Sequence, residues 1–175
     1  MPRRDILTAR QKSALYDLPT DQPSLLHHYT LGDDDIEHIN ERRRDENRLG
    51  FALQLCALRF PGRMLAPGEN IPLEALKFIG AQIGLSGEAL LTYAARQQTR
   101  HQHMKTLRDI YGYRSFTGQA ASDIKLWLHQ HAEYATSNET LARDMVGECR
   151  QRSITVPAFS TVERLCADAL VAAEQ

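Results

Sequence analysis

The chain has 175 residues, of which 42% are hydrophobic and 25% are charged, and its formal net charge is −1. This length is sufficient for one solid hydrophobic core or for two small helical lobes. The absence of any run of about 18 apolar residues excludes a membrane-spanning helix, and the polar N-terminus lacks the apolar core of a signal peptide. We therefore expect a cytoplasmic protein.

Charge is unevenly distributed along the chain although its sum is close to zero. Acidic residues are concentrated at Asp33–Asp35 and Glu37, whereas basic residues are concentrated at positions 3–12, 42–48 and 96–114. A near-neutral sum argues against nucleic-acid binding through bulk charge, but a local basic patch can still bind phosphate groups. The basic segments are therefore candidate phosphate-binding sites.

The first sixty residues predict short helices followed by a longer one. Thr8 and Gln11 match a capping box, which begins a helix that reaches about residue 16. The acidic run at 33–35 lies where a helix starts, because the positive end of the helix dipole favours carboxylates. From Asn47 to Phe60, apolar residues recur at helical spacing and predict an amphipathic helix.

A loop rich in proline and glycine at positions 61–72 separates these helices from the remainder and is the best candidate for a domain boundary. It divides the chain into an expected N-terminal lobe at 1–64 and a second lobe at 72–175. Beyond the loop, apolar spacing predicts six more helices. The first of these helices ends at Gly84, the second spans 86–96, and the third runs from a capping box at Thr99 to Gly112. The fourth and fifth span 117–135 and 138–152, and the sixth begins at a capping box at Ser160.

No alternating apolar pattern is long enough to build a sheet. The sequence therefore predicts an all-α, multi-helical bundle of about eight to ten helices. These are expected to include helix-turn-helix-like pairs, in one body or in two small lobes.

Residue types that carry catalysis or bind metals form no recognisable site. Cys56, Cys149 and Cys166 are too far apart in sequence to suggest a disulfide framework or a zinc site, and buried thiols are expected. Two His-x-His pairs, at 101–103 and 129–131, have a spacing of two, whereas helical zinc ligands lie at i and i+4. G-x-S-x-G, P-loop and G-x-G-x-x-G motifs are absent from the sequence. We expect no catalytic residue, metal or cofactor in this chain.

The run NRLGFALQLCALRFPG at positions 47–62 closely resembles a segment of the transposases of class II replicative transposons, the Tn3 family. Six further segments resemble the same family and occur in the family's order across essentially the whole chain. They lie at 29–30, 67–72, 78–85, 99–101, 110–116 and 160–170. No single segment is specific, but their shared order makes the resemblance strong.

The resemblance implies the helical N-terminal region of such a transposase, which in this family helps to recognise the terminal inverted repeats of the transposon. Family members are several times longer, and their catalytic part lies downstream, where three carboxylates hold divalent metal in an RNase H-like fold. The present sequence has no strand runs from which to build that fold. It is therefore expected to be non-catalytic, either an isolated domain or a truncated relic of a transposase gene.

Basic residues at two helix starts are the candidate DNA contacts. Arginine grips phosphate or guanine bidentately, and helix N-termini favour anions. From the residues alone, the opposite interpretation is a solvated turn in which Arg42–Arg44 pair with Asp33–Asp35 and Glu37. With the resemblance, DNA contact is favoured. The candidate residues are Arg42, Arg43, Arg44, Asn47, Arg48, Arg96, Arg100, His103, Lys105, Arg108 and Arg114.

The expected partner is double-stranded DNA carrying transposon inverted repeats, with a helix from one or both basic segments in a major groove. Arg100 and His103 are expected to share an exposed side of their helix, opposite Met104, Leu107 and Tyr111. The protein would then be associated with the bacterial nucleoid when bound. The alternative is a helical protein-interaction module that contacts the rest of a transposase or a second copy and does not touch DNA.

Overall fold

The computed structural model describes residues 7–86 and 97–175, with only the backbone described at 97–100. These residues form nine α-helices, and their only β-type pairing is an isolated bridge between Arg114 and Ile154. The all-α prediction is thereby confirmed. None of the described helices is long and apolar enough to cross a bilayer. The helices are α1 (Ala9–Tyr16), α2 (Gln22–Tyr29), α3 (Asp33–Asn40), α4 (Asp45–Arg59), α5 (Leu73–Ile83), α6 (Gln97–Tyr111), α7 (Gly118–Ala132), α8 (Asn138–Gln151) and α9 (Phe159–Ala173).

The sequence patterns predicted some helix starts correctly and others incorrectly. The capping box at Thr8 is confirmed, since the Gln11 N–H donates to Thr8 Oγ1 over 3.1 Å and Thr8 N–H donates to Gln11 Oε1 over 2.8 Å. The caps at Thr99 and Ser160 are wrong, because both residues lie inside helices that begin earlier. The helix predicted at 86–96 falls almost entirely outside the described residues.

The chain divides into two compact units, which we call the C-terminal unit and the central unit. The C-terminal unit comprises the described residues of Met1–Asp17, together with Pro61–Arg63 and Tyr113–Gln175; the central unit comprises Leu18–Phe60 and Met64–Gly112. These units differ from the lobes expected at 1–64 and 72–175. The chain passes from one unit to the other near residues 17, 60, 63 and 112, and not once within the 61–72 loop.

Long-range contacts explain why the N-terminal helix belongs to the C-terminal unit. The Tyr16 hydroxyl donates to the Pro157 carbonyl over 2.7 Å, and α1 packs against α8. The segment 61–63 is also held there, because Arg150 donates to the Pro61 carbonyl over 3.0 Å. Helices α7, α8 and α9 supply most of this unit's core.

Helix α4 is the buried centre of the central unit. Ten consecutive residues, Leu49 to Leu58, are buried, and α2, α3, α5 and α6 pack around them. The three cysteines of the chain are buried free thiols in the two cores, and burial raises the pKa of each to about 12.

Candidate nucleic-acid interface

Three polar side chains of the central unit tie α3, α4 and α6 together. Arg59, at the end of α4, donates two hydrogen bonds of 2.8 Å to the two carboxylate oxygens of Asp35 in α3. Tyr111, at the end of α6, donates from its hydroxyl to Asp35 Oδ1 over 2.9 Å. A bidentate charged pair of this kind fixes direction as well as distance. The pair therefore fixes the end of α4 against the start of α3, and the Tyr111 hydrogen bond ties the end of α6 to the same carboxylate.

The basic turn between α3 and α4 is braced from within. Arg48 Nε donates to the Arg42 carbonyl over 2.9 Å and so closes the turn. The Arg42 guanidinium lies 4.9 Å from the ring centroid of Phe51 and donates to Glu41 over 3.2 Å. Two of the predicted DNA contacts thus have structural partners of their own.

His103 corrects the expected orientation of α6. Its side chain is only 4% exposed, and its ring meets the Phe51 ring edge-to-face with centroids 5.2 Å apart. Burial, with a smaller effect from the nearby Arg42 charge, lowers the pKa of His103 to about 4. The prediction of an exposed His103 is wrong because positions 103 and 107 lie one turn apart on the buried face of the helix.

The turn and α6 together line a cleft of about 520 Å³. Arg43 and Asn47 line it from the turn and the start of α4, and Gln102 and Lys105 line it from α6. Arg43 and Lys105 are exposed, and neither side chain forms an ion pair or hydrogen bond within the described ranges. Two basic segments, whose cleft residues Arg43 and Lys105 are 62 positions apart in sequence, therefore converge on one surface.

The cleft has acidic and unpaired polar groups besides its cations. Glu41 and Asp109 also line it, and Glu41 is the carboxylate that Arg42 contacts. Arg42 Nε and Asn47 Oδ1 are buried atoms without a hydrogen-bond partner in the part of the chain that is described. Donor and acceptor capacity thus remains unused beside the cleft.

The other predicted contacts are dispersed. Arg44 is exposed and lies 3.9 Å from Glu46, while Arg108 is half-buried and does not line the cleft. Arg114 is exposed in the C-terminal unit, where its backbone N–H donates to Ser153 O. Arg96 lies outside the described residues, and so does the Arg100 side chain.

The pairing of Arg42–Arg44 with Asp33–Asp35 and Glu37, which the alternative of a solvated turn required, does not occur among the ion pairs of the described residues. Arg42, Arg44 and Arg48 instead lie near carboxylates of their own turn and helix start. Among the described residues, no group of three His, Cys, Asp or Glu side chains is placed to hold a metal ion.

The sequence patterns did not point to Thr106 or to the Asp35–Arg59–Tyr111 cluster. Gln102 and Thr106 are spaced i and i+4 around the buried position 103, which is the signal that could have placed them on the accessible side. No local pattern marks the cluster, since its members come from three helices.

Comparison with known proteins identifies the family. Residues 6–169 match the model of a domain of unknown function, DUF4158. The whole chain is 37% identical to the transposase for transposon Tn21 of Escherichia coli and 33% identical to that for Tn501 of Pseudomonas aeruginosa. Over 98% of its length it is 35% identical to the transposase for Tn1546 of Enterococcus faecium.

The match covers 18% of the Tn21 and Tn501 transposases and 17% of the Tn1546 transposase. The chain thus spans less than a fifth of the length of these relatives. It belongs to the DUF4158 family and corresponds to an N-terminal region of Tn3-family transposases.

Proposed function

We propose that this chain is a non-catalytic, DNA-binding region of a Tn3-family transposase and that it recognises the terminal inverted repeats of a transposon. The observation that carries the proposal is the convergence of the two basic segments on the cleft of the central unit. The family relationship supports it, because the relatives are transposases, which act at transposon ends. When bound, the protein would be associated with the nucleoid.

The cleft suits a phosphate backbone because its two exposed cations approach from opposite walls. Arg43 and Lys105 carry positive charge that is not neutralised by a partner among the described residues. Glu41, one of the two acids, already faces the Arg42 guanidinium. Side-chain cations of this kind anchor DNA by displacing condensed counterions from phosphates, and the binding is therefore salt-dependent.

The roles of the basic residues differ in this proposal. Arg43 and Lys105 contact phosphate directly, whereas Arg42 and Arg48 shape the turn that presents Arg43. Arg44 is exposed beside Arg43 and adds to the local positive potential. His103 is buried at the edge of the cleft, where its ring packs edge-to-face on Phe51.

The test is fluorescence anisotropy of the full chain over a salt series. One labelled duplex carries the terminal inverted repeat of the transposon that encodes the chain, and a second carries the shuffled sequence. We expect tighter binding to the repeat, with an affinity that falls steeply as salt rises. Arg43→Ala should lower the slope of log affinity against log salt by about 0.9, the value for one phosphate contact.

Arg143→Ala is the matched control, since Arg143 is an exposed arginine of α8 in the other unit. It should leave both the affinity and the salt slope unchanged. Equal or absent binding to the two duplexes would overturn specific recognition by this chain. That result would favour the alternative function, a helical module that binds the rest of a transposase or a second copy.

A further inference from the structure

We propose that α6, and not α4, is the helix that enters the major groove, and that Gln102 and Asp109 read base edges there. This inference rests on the proposed DNA binding and goes further, because it assigns the reading helix and separates base-reading residues from phosphate anchors. It follows from the different burial of the two helices that carry the basic segments.

Helix α4 has no surface to offer to a groove. Its residues from Leu49 to Leu58 are buried on every side of the helix, which leaves no polar stripe after Arg48. Its first turn carries Asp45 and Glu46, which phosphates would repel, and its last residue, Arg59, is bound to Asp35. A recognition helix must expose several side chains of one face to base edges. Helix α4 therefore forms part of the core of the central unit.

Helix α6 meets this requirement. His103 and Leu107 are buried on one side, while Gln102, Lys105 and Asp109 are exposed and line the cleft on the other. The spacing of i, i+3 and i+7 places these three residues on one stripe. At 1.5 Å per residue the stripe is about 10 Å long. That length corresponds to roughly three base pairs of DNA.

The chemistry of the stripe suits base edges better than phosphates. Glutamine pairs bidentately with N6 and N7 of adenine in the major groove. Asp109 is exposed and would be repelled by a phosphate, but a carboxylate accepts a hydrogen bond from N4 of cytosine. This gives a role to Asp109, which among the described residues has no ion-pair partner, unlike Glu41, which contacts Arg42. Lys105 lies between them and keeps its role as a phosphate anchor at the adjacent backbone.

The hydroxyl hydrogen of Thr106 is already donated within the helix. Thr106 Oγ1 donates to the Gln102 carbonyl over 3.0 Å, one turn earlier in the helix. Thr106 also lines the cleft, where it offers its methyl group and a hydroxyl oxygen that can still accept a hydrogen bond. A methyl group contacts thymine without hydrogen bonding. We infer that the stripe prefers a short subsite that contains an A·T pair at Gln102 and a G·C pair at Asp109.

The test selects bound duplexes from a random-sequence pool with the full chain and compares the base preferences of variants. For Gln102→Ala we expect the preference at one base pair to vanish, with about a tenfold loss of affinity for the selected duplex and an unchanged salt slope. Gln102→Glu should change the preferred base at that pair from adenine to cytosine, because a carboxylate only accepts hydrogen bonds. Asp109→Asn should alter a second base pair.

Two controls separate this inference from general DNA binding. Gln130→Ala, at an exposed glutamine of α7, should retain the wild-type preferences and affinity. Arg43→Ala should weaken binding to every duplex without changing any base preference. Base preferences that stay the same in both Gln102 variants would overturn the assignment of α6, even if Arg43→Ala behaves as a phosphate contact. A wild-type chain that enriches no sequence would instead overturn the proposed function itself.

Discussion

The Arg59 guanidinium donates to both carboxylate oxygens of Asp35 over 2.8 Å. Arg59 is the last residue of α4, and the basic turn precedes the first residue of the same helix. Helix α4 is thus connected to α3 at both ends, by this ion pair and by the turn itself. Tyr111 brings α6 to the same carboxylate. One buried acid therefore links α3, α4 and α6, and two of these helices, α4 and α6, carry residues that line the cleft.

Removing that acid should destabilise the central unit. In Asp35→Asn the Arg59 charge loses its partner, and a pair of this kind costs several kcal/mol to break when it is fully buried. Because the Arg59 side chain is 29% exposed, we expect a smaller decrease of about 2 kcal/mol in the free energy of unfolding. Urea denaturation at pH 7 measures it. Asp34→Asn, an exposed neighbour in the same helical turn, should change stability by less than about 0.5 kcal/mol.

Acid should act on the same residue in a defined pH range. Burial disfavours ionised Asp35, but hydrogen bonds from Arg59, the Gly32 N–H and Tyr111 outweigh it and lower the pKa of the carboxyl to about 2. The ordinary value is 3.8, so the stabilisation is present above about pH 4 and is lost as the pH falls towards 2. In denaturation curves measured between pH 5 and pH 2, the free energy of unfolding should fall by ~2 kcal/mol less in Asp35→Asn than in the wild type. Parallel curves for the two proteins would contradict this expectation.

His103 should produce a second loss of stability at higher pH. Its pKa falls from 6.5 to about 4 on folding, so between these values the unfolded chain takes up a proton that the folded chain excludes. Stability should therefore fall by about 3 kcal/mol as the pH decreases from 6.5 to 4. His103→Leu should remove this dependence, whereas His101→Gln, at an exposed position of the same helix, should retain it. An equal pH dependence in both variants would rule out His103 as its source.

Sequence patterns predicted the features that depend on near neighbours. The capping box at Thr8 and the glycines that end α5 and α6, both with positive φ, are read within a few residues. The unit boundaries were not predictable in this way, because they depend on contacts such as that between Tyr16 and Pro157, which are 141 residues apart. A loop rich in proline and glycine indicates where local structure is interrupted, but it does not indicate the unit against which each neighbouring helix packs.

The candidate site was predictable in its composition but not in its roles. Clustered arginines identified the turn, yet only the fold shows that Arg48 is committed to the Arg42 carbonyl while Arg43 is exposed. For α6, the error lay in the helical phase. Placing Met104 at the centre of the buried face, when His103 and Leu107 hold it, exchanged His103 for Gln102 at the surface.

Replacing Gly62 with any residue that has a side chain should destabilise the protein. Its φ is +111°, and an added Cβ would lie 2.6 Å from Arg150 Cγ and 3.1 Å from Val156 Cγ2. Both the backbone strain and the steric clash oppose alanine there, and we expect Gly62→Ala to lower the free energy of unfolding by about 2–3 kcal/mol. Gly68 is the matched control, since its φ is +70° and, apart from its chain neighbours, no described residue places an atom within 4 Å of an added Cβ. Gly68→Ala should cost only the backbone term, about 1 kcal/mol. Equal losses in urea denaturation would show that the contact with Arg150 is unimportant.

The Arg48→Ala and Arg43→Ala variants should differ in the flexibility of the basic turn when it is measured without DNA. Arg48 Nε closes the turn through the Arg42 carbonyl, and Arg48 Nη1 lies 3.7 Å from Asp45 Oδ1. In Arg48→Ala we expect amide hydrogen exchange at 41–48 to become about tenfold faster, as expected from the loss of a charged hydrogen bond of about 1.5 kcal/mol. Arg43→Ala removes the same charge from the basic turn but no hydrogen bond or ion pair within the described residues, so its exchange should match the wild type. If the two variants exchanged alike, Arg48 would not be the residue that holds the turn, and its loss could affect DNA binding only as the loss of one more phosphate contact.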